Sequence, residues 1–250
     1  MEQRRDIWRT SLMGKKQKHK RHLYYTFIQG RDNIPKDVLS VIKADIPRTY
    51  PQNEWVCRNA NTIQTLLVQY AAVHRGDSYL QGFNYTMTII FRVFHETEHA
   101  EADTWWCFSS IVGRIRPLMP DFNITWFHWC RRHWMNEFHR RLSQKRPVLE
   151  SIIANEAEAF SSLLTIKWFM LWFAQSVEFE EIFELWDFLI QLPSQHLMMA
   201  YTLIAFEVLH KAAPTITYTW TQSPTNLLHT LLNLRFSGIA NIVALVKRKL

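Results

Sequence analysis

Residues 148–192 read VLESIIANEAEAFSSLLTIKWFMLWFAQSVEFEEIFELWDFLIQL and contain neither glycine nor proline. Their apolar residues recur at intervals of three and four, the spacing of one face of an α-helix. The repeats form two groups, which are Phe160, Leu163, Leu164, Ile166, Trp168, Leu171 and Trp172, and then Ile182, Phe183, Leu185, Trp186 and Leu189. This pattern predicts two or three helices in the segment and therefore an all-α fold.

The rest of the sequence shows the same helical periodicity. No alternation typical of β-strands is sustained, and 11 tryptophans beside only 6 glycines favour packed helices over a turn-rich sheet. Ser237 and Gly238 precede a predicted final helix. The other predicted helices cover residues 62–73, 85–94, 103–115, 126–142, 196–210 and 224–234.

Length and composition limit the class of protein. A chain of 250 residues with 48% apolar content can bury a large core, and we expect one folding unit. The net charge of +7 suits an acidic partner, a phosphate-bearing ligand or an anionic membrane. Cys57, Cys107 and Cys130 lie far apart, which predicts neither a disulfide framework nor a cysteine zinc site. A reducing, cytoplasmic location fits this pattern.

No segment of the sequence has the pattern of a signal peptide or a membrane span. The charged N-terminus MEQRRDIWRT has no apolar core for secretion. The most apolar stretch, from Phe160 to Ala174, is too short to cross a bilayer and carries Lys167 near its middle. We predict a buried core helix there and a soluble protein.

The segment 33–59 differs from its helical neighbours because Pro35, Pro47 and Pro51 interrupt it. Proline disfavours helical geometry in the residue before it, so we expect Ile46 to be extended. A helix through residues 38–43 would then end before Arg48. The sequence therefore predicts that Arg48 lies on a loop, where reactive side chains are commonly displayed.

Two motifs carry residues suited to phosphoryl chemistry. The first, Ile42-x-x-Asp45-x-x-Arg48-Thr49, offers a planar guanidinium that fits the spreading negative charge of a transferring phosphoryl group. Asp45 lies close enough along the chain to orient that guanidinium. GTP hydrolysis typically uses an arginine that stabilises the transition state and a glutamine that orients the attacking water.

The second motif supplies that glutamine. It reads Tyr79-x-Gln81-Gly82-x-Asn84, and its carboxamide can both donate a hydrogen bond to a water molecule and accept one from it. Gly82 would allow another backbone to approach closely. The pair of motifs thus predicts one site with Arg48 and Gln81 acting on the same γ-phosphate.

These segments resemble the two catalytic motifs of the TBC (Tre-2/Bub2/Cdc16) family of Rab GTPase-activating proteins, I-x-x-D-x-x-R-T and Y-x-Q-G-x-N. Both are complete here. Further similarity lies in Arg4-x-x-Ile7-Trp8, in the WWCF segment at 105–108, in the KWF segment at 167–169 and in Trp186-Asp187. The chain departs from the family at Ser78 and Phe83, where glycine and methionine are usual, and near Val177, where a proline is common.

The resemblance implies an all-α, V-shaped, bilobed domain over residues 1–250, with an N-terminal lobe of about 1–143 that carries both motifs and a C-terminal lobe of about 144–250. It also implies a Rab-type GTPase in its GTP-bound state as the partner. Arg48 and Gln81 would act in trans, supported by Ile42, Asp45, Thr49, Tyr79, Gly82 and Asn84. The chain would need no cofactor of its own, because the partner carries GTP and Mg²⁺.

Other interpretations of the sequence stay open. The same fold could serve as a non-catalytic adaptor, although an adaptor has no need of both motifs. Residues 95–99 read HETEH, which matches the H-E-x-x-H zinc motif, but its charged surroundings favour a solvated turn and we expect no metal site. His128, His133 and His139 lie among tryptophans and arginines, a pattern more typical of an amphipathic helix than of a nucleic-acid surface.

One charge run stands apart from these motifs. The segment from Lys15 to His22, KKQKHKRH, is strongly basic. A solvated loop is the usual structure of such a run. The alternative is binding to phosphate-rich lipid or to nucleic acid. Of these two, we expect peripheral membrane contact and no nucleic acid partner.

Overall fold

The structure is a computed structural model that describes residues 1–28, 34–74, 79–115, 136–155, 165–223 and 226–250. It divides into two compact units, Met1–Gly113 and Arg114–Leu250. Both motifs lie in the first unit. The lobe boundary expected near residue 143 stays a prediction, because residues 116–135 before it lie outside the described part.

Six α-helices are described between Met1 and Ile115. A π-helical turn at Arg9–Met13 and a 3₁₀ turn at Gly14–Lys16 join the first two of them. The helices are α1 Glu2–Trp8, α2 Gln17–Ile28, α3 Lys36–Asp45, α4 Glu54–Val73, α5 Phe83–Phe94 and α6 Ala100–Ile115.

Helices α4 and α5 form the centre of the first unit. The side chain of Asn53 accepts a hydrogen bond from the backbone N–H of Val56 and so caps the start of α4. Ten of the twelve residues of α5 are buried, and α5 packs against both α4 and α1. Because α5 is enclosed in this way, its first turn is a rigid support for the segment that precedes it.

The basic run from Lys15 to His22 is helical, so the prediction of a loop was wrong. It spans the 3₁₀ turn and the first half of α2. One side of α2 is bound to α6, because Arg21 forms a bidentate ion pair with Asp103 at 2.6 and 2.7 Å, and the Tyr24 hydroxyl donates to Glu101 at 3.0 Å. These contacts attach α2 to α6 at and just after the end of the basic run.

The second unit is also helical. Residues 136–145 are helical, and a π-helical turn covers Thr165–Met170. The α-helices are α7 Pro147–Asn155, α8 Ile182–Gln191, α9 Ser194–Gln222, α10 Leu227–Leu232 and α11 Ile239–Lys247.

The all-α prediction is confirmed. Among the described residues no β-strand occurs, and only one parallel β-bridge joins Val177 to Phe236. Most predicted helices are present with shifted ends, and α9 continues past its predicted end through Pro214. Much of the helix predicted at 126–142, with His128 and His133, lies outside the described residues, as do the first two residues of the helix predicted at 224–234.

The prediction of a core helix from Phe160 to Ala174 was partly wrong. Its described part, residues 165–174, begins as a π-helical turn and ends in turns instead of an α-helix, with positive φ at Trp172 and Phe173. Residues 168–174 are buried. The Trp168 indole donates to the Ser176 hydroxyl at 3.1 Å, and the Trp186 indole donates to the backbone carbonyl of Trp172 at 3.0 Å. We attribute the turns to the packing of several large rings into one core, which one helical face cannot provide.

None of the described helices combines the length and apolar character that a membrane span requires.

Candidate functional site

Arg48 lies at the end of a short helical extension of α3. Helix α3 ends at Asp45, and a single 3₁₀ turn, Ile46–Arg48, follows it directly. Ile46 is helical, so the prediction that it is extended and that Arg48 lies on a loop was wrong. Pro47 needs no hydrogen-bond donor in the first turn of a helix, and the backbone N–H of Thr49 closes this turn onto the Ile46 carbonyl at 3.0 Å. Arg48 is exposed.

A buried hydrogen-bond junction joins this turn to the start of α5. The Asn84 side chain donates to the Thr49 hydroxyl at 2.7 Å and to the backbone carbonyl of Asp45 at 3.3 Å. The Thr49 hydroxyl donates to the same carbonyl at 2.9 Å. Asn84 and Thr49 are almost fully buried, with 1% and 3% exposure, so these bonds are shielded from water. The residues on either side of Arg48 are therefore fixed to α5.

Asp45 has a different role from the one predicted. Its side chain is buried, and its carboxylate accepts a hydrogen bond from the Tyr79 hydroxyl at 2.8 Å. Burial, and then this bond to Asp45, raise the pKa of Tyr79 well above its usual range. Within the described part of the chain, no ion pair joins Asp45 to Arg48. Asp45 thus stabilises the junction and leaves the guanidinium outside it.

A tyrosine that the motif analysis did not single out holds the backbone of Arg48. The Tyr85 hydroxyl donates to the Arg48 carbonyl at 2.9 Å. The Tyr85 ring packs edge-on against Tyr50, with the ring centroids 5.0 Å apart, and Tyr50 has a positive φ of 43°. The only sequence signal for Tyr85 is its position directly after Asn84, which does not indicate this contact.

Gln81 lies in the tight turn that leads into α5. The backbone N–H of Phe83 donates to the Leu80 carbonyl at 3.0 Å, and Gly82 has φ 104° and ψ −13°. These angles fit the third residue of a type II turn, where glycine is strongly favoured because φ is positive. Gly82 is therefore needed for the turn itself, a role the sequence analysis did not assign. Gln81 is exposed at the second position of that turn.

The structure brings the two motifs together through their buried members. Asn84, three residues after Gln81, contacts the residues that flank Arg48. Ile42, fully buried in α3, anchors the first motif to the core. Arg48 and Gln81 are thus exposed side chains on two segments that hydrogen-bond to each other. Ser78 lies outside the described residues, and Phe83 is buried against Tyr79 and Phe108.

The H-E-x-x-H segment does not form a zinc-binding helix. Helix α5 ends at Phe94, and residues 95–99 form turns before α6. His95 Nδ1 lies 2.9 Å from the backbone carbonyl of Arg92. In the described ranges, no group of three or more histidine, cysteine or carboxylate residues is arranged for a metal ion. The segment is a solvated interhelical turn, as its charge indicated.

A family model for the Rab-GTPase-TBC domain matches residues 1–213. Since this match covers most of the chain, the protein belongs to the Rab-GTPase-TBC domain family. The family membership that the two motifs indicated is therefore confirmed.

Two curated relatives show how distant the similarity is. The chain is 26% identical over 163 residues to growth hormone-regulated TBC protein 6 of Caenorhabditis elegans, covering 64% of this chain and 46% of that protein. It is 25% identical over 166 residues to growth hormone-regulated TBC protein 1 of Xenopus laevis, covering 64% and 45%. The chain thus spans about half the length of these relatives.

A solved structure has the same fold. The Ypt/Rab-GAP domain of Gyp1p aligns with a TM-score of 0.71 over 98% of this chain and 85% of that domain. Only 17% of the aligned residues are identical. The likeness therefore concerns the fold.

Proposed function

We propose that this protein accelerates GTP hydrolysis on a Rab-type GTPase in its GTP-bound state. Arg48 and Gln81 enter the nucleotide site of the partner, which itself carries GTP and Mg²⁺. The observation that carries this proposal is the buried junction between Asp45, Thr49, Tyr79 and Asn84. It anchors both segments while Arg48 and Gln81 stay exposed.

Arg48 supplies charge to the transition state. Its guanidinium donates hydrogen bonds to the oxygens that gain negative charge as the γ-phosphoryl group transfers. A side chain held in an ion pair would first have to leave its carboxylate. Among the described residues no carboxylate forms an ion pair with Arg48, and the carboxylate of Asp45, three residues before it, accepts its hydrogen bond from Tyr79.

Gln81 orients the attacking water. Its carbonyl oxygen accepts a hydrogen bond from the water, and its N–H group donates to a phosphate oxygen. The turn at Gly82 fixes the backbone of Gln81 relative to α5. In this scheme the glutamine of the GTPase itself does not position the water.

The test is a turnover assay across a panel of GTP-loaded Rab GTPases with catalytic amounts of this protein. We expect accelerated phosphate release on at least one member and its loss with Arg48→Ala or Gln81→Ala. Both side chains are exposed, so both variants should keep the thermal unfolding temperature of the wild type. Wild-type acceleration by the Arg48→Ala variant would refute the assignment.

The same assay separates an activator from an adaptor. An adaptor binds a GTPase without changing its turnover, and its binding tolerates Arg48→Ala. Binding is therefore measured alongside turnover for each GTPase. Binding to several GTPases with acceleration of none would favour the adaptor.

We also propose that the basic segment from Lys15 to His22 touches the cytoplasmic face of an intracellular membrane while the protein acts in vesicle trafficking. Lys15, Lys16 and Lys18 are exposed, and no acidic residue occurs in the sequence between Asp6 and Asp32. Lysines near an anionic bilayer each contribute about 1 kcal/mol to binding.

Vesicle co-sedimentation tests this contact. Vesicles containing phosphatidylserine should bind the protein at low salt, and vesicles of phosphatidylcholine alone should not. Replacing all three lysines by glutamine should weaken binding about 100-fold, from about 1 kcal/mol per lysine. Equal binding to both kinds of vesicle would contradict the proposal, as would preferential binding to RNA or DNA.

A further inference from the structure

An apolar pocket of about 350 Å³ lies directly beside Arg48 in the first unit. It is formed between the 3₁₀ turn that ends in Arg48 and helix α4. Among its lining residues are Ile46, Pro47 and Thr49 from the turn and its end, and Val56, Cys57 and Ala60 from α4. Pro47 and Thr49 are the immediate neighbours of Arg48, so a partner reached by Arg48 also lies next to this pocket.

The lining offers no group to hold a polar ligand. None of the lining residues that the structure describes carries a charge. The hydroxyl of Thr49 is used in the buried junction, where it donates to Asp45 and accepts from Asn84. The Cys57 thiol donates to the Pro51 carbonyl at 3.5 Å. The pocket therefore favours an apolar group, whose burial releases water from apolar surface.

The pocket has exposed residues in its lining and is open to solvent. Pro47 and Cys57 are exposed and Ala60 is partly exposed, whereas Ile46 and Val56 are buried at its base. Its volume is near the lower limit of small-molecule sites, about 300 Å³, and such sites also contain converging polar groups. A side chain from a protein partner suits this space better than a free metabolite.

We propose that the pocket receives an apolar side chain of the GTPase and so contributes to the choice of GTPase. This inference rests on the proposed function, because Arg48 must face the GTPase for its neighbours to do so. An apolar side chain in the pocket touches no reacting atom, so this contact would stabilise the bound GTPase and the transition state equally. Interactions of that kind alter KM and leave kcat unchanged.

The experiment fills the pocket and measures KM and kcat separately, on a GTPase that the wild type stimulates. Ala60→Leu places a larger apolar side chain in the pocket and keeps a good helix former in α4. We expect KM to rise about tenfold, since a partner side chain that loses its burial loses roughly that much affinity. The kcat should stay within about twofold of the wild type.

The matched control is Asn61→Leu, the same new residue one position further along α4. Asn61 is exposed and does not line the pocket. Its substitution should leave both constants unchanged. Cys57→Leu is a second filling variant at an exposed position, which keeps the test valid if Ala60→Leu lowers the unfolding temperature.

A double-mutant cycle identifies the occupant. Exposed apolar residues of the GTPase are replaced by alanine one at a time, and each is tested against wild type and Ala60→Leu. Substitution of the side chain that enters the pocket should raise KM with the wild type and have little further effect with Ala60→Leu.

The outcomes distinguish a failure of the pocket proposal from a failure of the proposed function. Unchanged KM for both filling variants, with stimulation that still requires Arg48, overturns the pocket and leaves the proposed function intact. A fall in kcat at unchanged KM overturns it as well. Absence of stimulation on every GTPase, or stimulation that survives Arg48→Ala, overturns the proposed function and this inference with it.

Discussion

Two buried aspartates in the first unit have different partners for their carboxylates, arginines in one case and a tyrosine hydroxyl in the other. Asp103 is fully buried and forms ion pairs with Arg9 at 2.8 Å and with Arg21 at 2.6 Å. Asp45 is also buried, but its carboxylate accepts a hydrogen bond from Tyr79, although Arg48 lies only three residues away.

The difference shows what makes an arginine available for a partner. Arg9 and Arg21 neutralise a carboxylate that has no access to water, and they join α6 to the N-terminal segments. The hydrogen bond to Asp103 raises the pKa of Arg21 further above its usual range. Arg48 does not neutralise Asp45, because the hydroxyl of Tyr79, a neutral side chain, donates to that carboxylate instead. An arginine close to an aspartate in sequence is therefore not evidence of an ion pair.

The largest expected effect comes from replacing arginine by lysine, at Arg48 beside Asp45 and at Arg21 beside Asp103. An arginine that stabilises a phosphoryl transition state contributes about 10³–10⁵ in rate, and lysine lacks the planar fork. Arg48→Lys should therefore lose most of the stimulated turnover without changing the free energy of unfolding. Arg21→Lys should lower the free energy of unfolding and leave turnover per folded molecule intact. Turnover assays with urea unfolding on both variants check this, and the reverse pattern would break the comparison.

The next largest effect concerns the aspartates themselves. Asp103→Asn removes the charge that two arginines neutralise, and loss of a partner from a buried ion pair costs about 3–5 kcal/mol. Asp45→Asn keeps an oxygen that accepts from Tyr79, so we expect a loss of only about 1 kcal/mol. Urea unfolding of the two variants measures both values. Equal losses would show that Asp45 also depends on a cation.

A smaller effect is expected at the tyrosine that replaces the cation. Tyr79→Phe leaves the buried carboxylate of Asp45 without its donor, which costs about 1–3 kcal/mol. Turnover should fall as well, because the turn that carries Arg48 loosens. Tyr25→Phe is the control, because it removes a hydroxyl from an exposed tyrosine that is distant in sequence from Tyr79. A Tyr79→Phe variant as stable as this control would show that the junction does not need the bond.

The smallest effect comes from a third carboxylate, Glu137 in the second unit, which is paired with arginines closer to the surface. Its hydrogen bond to Arg140, and then that to Arg141, lower its pKa from 4.5 to about 2. A lowered pKa stabilises the fold above the ordinary value, and this stabilisation disappears as pH falls from about 4.5 to about 2. Ion pairs of this kind contribute about 1 kcal/mol at most.

Unfolding of the wild type and Glu137→Gln across that acidic range measures this contribution. The difference between the two proteins should be largest near neutral pH and vanish toward pH 2. A difference that grows on acidification would contradict the assigned direction.

The sequence predicted the class of the fold correctly, but it did not predict the local structure of every segment. Helical periodicity identified the all-α fold and most helices, because the apolar spacing of a helix is a local property. It failed where distant contacts decide the local structure. The basic run is part of a helix that pairs with Asp103 through Arg21, and aromatic packing makes the stretch around Trp172 turn.

For the site, the sequence determined which residue types are present and in what order. The arginine, the glutamine, their flanking motifs and the family all follow from short patterns along the chain. Tertiary structure alone decided that Asp45 binds Tyr79, that Tyr85 holds the Arg48 carbonyl and that a pocket opens beside Arg48. The physical reason is that a hydrogen-bond partner is chosen by distance in space, and the partners of Asp45 and of the Arg48 carbonyl lie 34 and 37 residues away along the chain.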